Sequence, residues 1–472
     1  MAVMEVRKKH CWERAEADMW QENSFVAFGG DVSPQPTERA TLDREHYCGK
    51  ATMQKEFDTV WTKAWLIAGI ERDLEEPGDF ITFDIAHESI LITRTEDGGL
   101  SAVYNVCQHR GNRLHIQPYG SVARAHTCPY HGWSYGLDGT LLNVPDRDRF
   151  SPGVDCAAKS LKSVNVGTSN GLIWVNLAVD PLPLEDFLGS LVGELMPYRL
   201  EAMHVVREQT CELDANWKTV IDNFAEVYHV DFIHAQHASF VNCRDARVDL
   251  FPYGHTVFRV DGYVVNPRYP VPDEPPPILS GALQALGLDP GDFHGRVDEI
   301  RRAAQVQKRK LGARAGFDYS ALTDDQVSDI WQYNLFPNTI MTVKPEEVWI
   351  MRQRPHPTDP QKCFFDKITL AMPVRQSDDE TSLVLIGDVE AAKAMKSGQR
   401  PEREVFTQAD VTNGSMSMTE TVDQDIFYLP YMQAGMNSAG FDEAVLSDDE
   451  NRIRHFHDWL ATWMAGQIPR PS

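Results

Sequence analysis

Cys107-Gln-His109 and Cys128-Pro-Tyr-His131 are separated by eighteen residues, and each pair leaves a strand-like run on a turn rich in Gly, Pro and Asn. Two such loops facing each other bring two thiolates and two imidazoles together. That donor set suits tetrahedral zinc, and it equally suits a [2Fe–2S] cluster in which one iron takes both cysteines and the other both histidines. Order separates the two. Cys2His2 zinc fingers place both cysteines before both histidines, whereas here each loop contributes one of each, which favours the cluster. Neutral imidazoles leave less negative charge on the irons than four thiolates would, so the potential rises and the cluster becomes a good electron acceptor.

The rest of the composition narrows the setting. The chain has 472 residues, enough for two or three domains, and 42% of them are apolar. Its net charge of −24 repels phosphate backbones and anionic lipid, so the sequence predicts no nucleic-acid and no membrane partner. The first twenty residues put charge where a secretory leader needs an apolar run, and no segment has the roughly 18 apolar residues of a membrane span. Eight scattered cysteines do not make a disulfide framework and point to a reducing cytoplasm. Cys11, Cys48, Cys156, Cys211, Cys243 and Cys363 read as free thiols, and His115 and His126 as loop or surface histidines.

Along the chain, Thr41–Trp65 reads as helix with apolar positions every three or four residues. From Phe80 the period becomes two, with Ile81, Phe83 and Ile85 alternating with Thr82 and Asp84. Short runs separated by Gly and Asp turns then predict antiparallel β structure as far as residue 178. The remainder mixes strand and helix patterns, an α+β signature. Six prolines between Pro267 and Pro277 predict an excursion loop. The charged run Glu299–Ala313 predicts a solvated helix. In the last helix Ser447 and Glu450 form a capping box, and Ile453, Phe456, Trp459, Leu460, Trp463 and Met464 share a core stripe that Gly466 can end.

A second constellation lies in NWKTVIDNFAEVYHVDFIH. On a regular helix Asp222, Glu226 and His229 fall within about 60° of one another, but His234 lies about 140° round from His229. The helix must therefore end or widen near Val230–Asp231 if both imidazoles are to meet one metal. Two histidines and a carboxylate with open positions describe a non-haem iron(II) facial triad. Spacing leaves the carboxylate open among Asp222, Glu226, Asp231 or a distant acid, and His237 is a rival for the second imidazole.

The string CQHRGNRL…CPYHGWSYGLDG resembles the Rieske domain of bacterial aromatic-ring-hydroxylating oxygenase large (α) subunits, and the NWK…His229…His234 segment resembles their catalytic domain. The resemblance implies an α+β chain. An all-β Rieske [2Fe–2S] domain (61–178) would hold the cluster through Cys107, His109, Cys128 and His131. A helix-grip, START-like α+β catalytic domain with an antiparallel sheet (179–472) would follow it, and a helical arm (1–60) would pack on that domain. The resemblance makes His229, His234 and Asp425 the ligands of a mononuclear Fe(II), with Asp423 as fallback. It places Glu226 as the carboxylate bridging to a cluster histidine of a neighbouring subunit, and Asp222 and Asn223 beside it in the catalytic segment.

By the same resemblance Asn223, Phe224 and Val230 flank the substrate cavity; Phe258, Phe336 and Phe364 are further candidates, and an apolar pocket is expected. No nicotinamide or flavin fingerprint occurs, so electrons are expected from a ferredoxin or an NAD(P)H-dependent flavin reductase. The implied assembly is a homotrimer, with or without a small β subunit. The implied reaction is O₂-dependent cis-dihydroxylation of an aromatic or other hydrophobic ring. The alternatives are hydroxylation or oxidative O- or N-demethylation by a monooxygenase, which Glu at the bridging position also resembles in the quaternary-ammonium branch, and a non-catalytic electron carrier.

Overall fold

The structure, a computed structural model, describes residues 39–237, 241, 246–267, 269–373 and 400–470. The arm before residue 39, Cys11 and Cys243 lie outside the described residues. Ten short strands run from Leu66 to Asn176: β1 (Leu66–Ile70), β2 (Asp79–Ile85), β3 (Glu88–Arg94), β4 (Leu100–Tyr104), β5 (Tyr119–Ser121), β6 (Ala125–Thr127), β7 (Ser134–Gly136), β8 (Leu141–Asn143), β9 (Ser163–Ser169) and β10 (Leu172–Asn176). Seven make a sheet in the order β1-β10-β9-β4-β3-β2-β5, and β6-β7-β8 make a smaller one. In β2 the alternation is visible directly, since Ile81, Phe83 and Ile85 are buried while Thr82 and Asp84 are half-buried.

The second sheet contains β11 (His204–Leu213), β12 (Arg247–Leu250), β13 (Thr256–Val260), β14 (Ile330–Leu335), β15 (Thr339–Val343), β16 (Glu347–Pro355), β17 (Cys363–Ala371) and β18 (Glu404–Thr407). Its order is β12-β13-β14-β15-β16-β17-β11-β18, antiparallel except for the β11–β18 pair. Six helical segments matter for the site: α1 (Arg44–Cys48), α2 (Lys50–Glu56), α3 (Trp217–Phe224), α4 (Val230–Ile233), α5 (Glu420–Met436) and α6 (Asn451–Met464).

Strand alternation gives this sheet two different faces. On one, Phe365 stacks on Phe224 of α3 (5.4 Å between centroids) and Phe258 lies under Arg452 of α6. On the other, Arg352 donates to the carbonyl of Ile67 (2.8 Å) in β1. The sheet is thus a middle layer between the helices and the seven-stranded sheet. Asp366 holds this junction together. It accepts from Arg352, Arg354 and Thr210, while Arg354 also reaches the carbonyl of Asp84.

Several expectations change. The helix read over Thr41–Trp65 is broken at Gly49, whose extended backbone (φ −77°, ψ 129°) separates α1 from α2, and it ends in a π turn over Phe57–Trp61. The charged helix, Ile300–Ala315, is not simply solvated: Lys308 is buried, paired with Glu346 (3.1 Å) and donating to Val327 O (2.7 Å). His126 is a buried residue, with Nε2 3.0 Å from Thr93 Oγ1 and Nδ1 2.9 Å from His115 Nε2. The C-terminal capping box and buried stripe are present, and Gly466 ends the run at positive φ (69°).

One buried histidine sets an acid limit. His255 Nδ1 accepts from Phe336 N–H and its Nε2–H donates to Phe187 O, so the neutral ring is fully satisfied. Burial pulls its pKa down to about 3 despite that bond to Phe187. With the folded value below the unfolded one, the unfolded state binds the extra proton. Stability is therefore whole above pH ~6.5 and falls toward pH 3, at up to about 1.4 kcal/mol per unit. Urea titrations are expected to show a shallower acid loss in His255→Gln than in the parent; parallel slopes would exclude the assignment.

Candidate metal centres

The two Cys-His loops share one backbone frame. Cys107 N–H donates to Asn112 O (2.8 Å) and Gly111 N–H returns to Cys107 O (3.0 Å). Cys128 N–H donates to Trp133 O (2.8 Å) and Gly132 N–H returns to Cys128 O (3.0 Å). The fifth residue of each frame is a glycine at positive φ, 80° and 72°, which a side chain would strain. Both thiols are buried. The rings of His109 and His131 lie 4.6 Å apart, and His109 is stacked on Trp133 at 5.0 Å. His109 Nδ1 is buried without a hydrogen-bond partner, as a nitrogen reserved for a metal would be.

Tyr135 supplies the support around the sulfur. Its hydroxyl accepts from Gln108 N–H (3.0 Å), leaving its own proton for Cys107 Sγ at 3.3 Å. Hydrogen bonds to cluster sulfurs favour the reduced state. Tyr135→Phe is therefore expected to lower the cluster potential by something on the order of tens of millivolts, read by a redox titration of the visible circular dichroism. An unchanged potential would show that the contact does not reach the cluster.

His229, His234 and Asp425 offer ligand atoms within 4.8 Å of one another, and among the described residues they are the one group of three that does so. Asp425 Oδ1 lies 3.0 Å from His234 Nε2 and 3.6 Å from His229 Nε2, yet makes no hydrogen bond to either. Three donors converging without bonding one another fit a shared cation. The opposite ring nitrogens are occupied: His229 Nδ1 by Glu226, and His234 Nδ1 by Gln424 Oε1 at 2.7 Å. This arrangement fixes the tautomer that leaves each Nε2 lone pair free. Burial pulls the His229 pKa down, but the Glu226 hydrogen bond and charge, with Asp425, outweigh it and hold the ring above its ordinary value.

The helix break falls earlier than the spacing suggested. α3 stops at Phe224, and a single turn, α4, stands between the histidines. Ahead of that turn the Glu226 carboxylate accepts His229 N–H (3.1 Å), a side-chain bond that competes with a helical backbone bond there. Asp222 is not brought to the trio. It accepts from Tyr47 Oη (2.8 Å) and His457 Nε2 (2.7 Å), tying α3 to α1 and α6. Asp423 accepts Met418 N–H (2.8 Å) just ahead of α5, and His237 is bonded to Thr421 (2.7 Å). Asn223 is buried with its amide nitrogen unpartnered, Val230 is buried, and Phe224 packs on the sheet.

The model for the ring-hydroxylating alpha subunit catalytic domain matches residues 200–466, more than half of the chain, and the Rieske [2Fe–2S] domain model matches residues 64–164. The chain belongs to the ring-hydroxylating alpha-subunit family. A Rieske cluster and a mononuclear iron are the cofactors these two domains carry, and the donors found above fit both.

Among similar proteins, the glycine betaine monooxygenase oxygenase subunit of Pseudomonas aeruginosa (strain UCBPP-PA14) is 35% identical over 214 residues, 43% of this chain and 49% of that protein. The carnitine monooxygenase oxygenase subunit of Escherichia coli (strain K12) is 30% identical over 42% of this chain and 53% of that protein. The chlorobenzene dioxygenase alpha subunit of Cupriavidus sp. (strain PS12) is 32% identical over 44% and 46%. The matched stretch thus spans about half the length of these curated relatives. By structure, a quaternary ammonium Rieske monooxygenase bound to L-carnitine covers 90% of this chain and 95% of its own (TM-score 0.62, 18% identity). Naphthalene 1,2-dioxygenase from Rhodococcus sp. covers 91% and 95% (TM-score 0.63, 19% identity). At such identity the likeness is one of fold.

The helix-facing side of the second sheet is partly polar. It carries Gln332, Asn334 and Gln353, and both amide atoms of Asn334 and of Gln353 are buried without partners. Of the three phenylalanines considered, Phe258 and Phe336 lie on the helix side, Phe336 stacking on Trp463 at 5.4 Å. Phe364 is on the opposite face, beneath Arg354. Arg452, on α6, escaped the sequence reading although the signal was there: at 100° per residue it falls within about 40° of Phe456, Trp459 and Trp463, a charge inside an apolar stripe.

Proposed function

We propose that this chain is the terminal oxygenase of a Rieske system. Cys107, His109, Cys128 and His131 would hold the cluster that takes electrons from a separate reductase or ferredoxin, and His229, His234 and Asp425 would hold the iron. The convergence of Asp425 Oδ1 on two imidazole nitrogens that it does not hydrogen-bond carries this reading. When bound, the iron supplies O₂ activation beside substrate, and the protein supplies its three ligands and the Glu226 carboxylate that orients His229. His131 is exposed, so the cluster edge is open to a neighbouring subunit, and Glu226 would join the two centres across a homotrimer. The division into 1–60, 61–178 and 179–472 follows the same reading.

The favoured chemistry is monooxygenation of an N-methyl group on a quaternary ammonium compound, ahead of cis-dihydroxylation of an aromatic ring. The glycine betaine and carnitine monooxygenase relatives, Glu rather than Asp at position 226, and the polar sheet face support it. One O₂, two electrons and two protons insert one oxygen into a methyl C–H bond and release water, and the cationic N-hydroxymethyl product then loses formaldehyde and a proton to give the tertiary amine. Turnover with ¹⁸O₂ tests this: stoichiometric formaldehyde carrying one labelled oxygen is the expected result. A diol carrying two labelled oxygens would overturn it.

A further inference from the structure

We propose that Arg452 anchors an anionic group of the substrate, so that the molecule oxidised at the His229–His234–Asp425 centre carries a carboxylate. The inference rests on the proposed oxygenase site and adds the recognition element for the far end of its substrate. Arg452 is 1% exposed. Its Nε donates to Thr256 Oγ1 (3.0 Å) and its Nη1 to Gln332 Oε1 (2.9 Å), while Nη2 is buried without a partner. Both acceptors are neutral. Among the described residues no carboxylate lies within ion-pair distance of the guanidinium.

Three other buried cations each have a carboxylate partner. Arg352 is paired with Asp366, Lys218 with Glu56 and Lys308 with Glu346. Arg452 has no such ion pair among the described residues. Burial lowers its pKa to about 9, which still leaves it protonated at neutral pH. A desolvated cation with an unused N–H is costly unless an anion completes it.

Position supplies the rest. The guanidinium lies over the Phe258 ring (5.2 Å), and Phe258 packs in one cluster with Val227, two residues before His229. Glu226 is the charged group whose field reaches Arg452. Asn334 is the register partner of Thr256, and its unpartnered amide sits beside the guanidinium's own acceptors. Arg452 Nη2–H and Asn334 Nδ2–H are thus two donors for one carboxylate, a charge-assisted pair that neutral sheet residues alone would not provide. An aromatic hydrocarbon would leave both donors unsatisfied.

The test is titration calorimetry on anaerobic holoenzyme with two matched probe pairs, glycine betaine against choline and benzoate against toluene. In the parent, at least one carboxylate is expected to bind tenfold or more tighter than its match. Arg452→Gln should erase that preference, with carboxylate affinity falling at least tenfold and the matched probe shifting less than twofold. Arg452→Lys should retain part of it. Should Arg452→Gln fail to fold, Asn334→Ala together with Arg452→Lys decides, since each is expected to narrow the preference. A preference for benzoate without one for glycine betaine supports the anchor while rejecting the quaternary-ammonium substrate. No preference in either pair, or one that survives these variants, overturns the anchor and leaves the oxygenase reading standing.

Discussion

Asp425→Ala is expected to empty the mononuclear site and abolish turnover while the cluster stays intact. The carboxylate is buried on α5 and contributes one of three convergent donors, and the two histidines left behind are each already committed through their other nitrogen. Loss of even an outer partner of a metal site commonly costs about 10–100-fold, so loss of a first ligand should exceed that. Iron analysis should find the two cluster irons and no third, with the visible spectrum unchanged. Glu226→Gln gives the contrasting result: all irons retained, because the amide oxygen can still accept from His229, but turnover slowed by the missing charge. Full iron content in Asp425→Ala would remove that residue from the ligand set.

The second large effect is on stability. Asp366 is buried between Arg352 and Arg354. Burial pushes its carboxyl up, but Arg354 and Arg352 outweigh that and hold it well below the usual carboxylate range. Asp366→Ala leaves two guanidiniums in the interior without their anion, a change expected to cost about 3–5 kcal/mol. Because Arg352 also grips Ile67 O and Ala68 O, and Arg354 grips Asp84 O, the loss should appear first between the two sheets. Denaturant titration gives the magnitude, and hydrogen exchange at β1 locates it. A loss below 1 kcal/mol, or protection unchanged at β1, would refute the junction's role.

What could be read from the residues alone was whatever is local. Each Cys-His loop is closed by hydrogen bonds within six residues, so its motif carries its own geometry. Likewise the capping box and stripe of α6 need only the helical period. Long-range convergence is different in kind. Asp425 reaches His234 across almost two hundred residues, and no periodicity in either segment records it; family resemblance proposed it where spacing could not. Spacing places the break near Val230–Asp231, but it falls after Phe224, where the Glu226 carboxylate competes for the His229 N–H, an effect that angular arithmetic omits. Residue type alone places Lys308 and His126 at the surface, whereas their actual partners, Glu346 and Thr93, come from other elements.

Helices α1 and α2 supply no metal ligand, yet they grip the helix that precedes the histidine ligands. Tyr47 holds Asp222, while Glu56 takes both the ammonium of Lys218 and the indole N–H of Trp217. The leading segment is therefore a splint for the iron-bearing turn, not a tether that can be trimmed. A shortened version that begins at the first β-strand would keep every ligand in its sequence and still lose the rigidity with which two of them are presented.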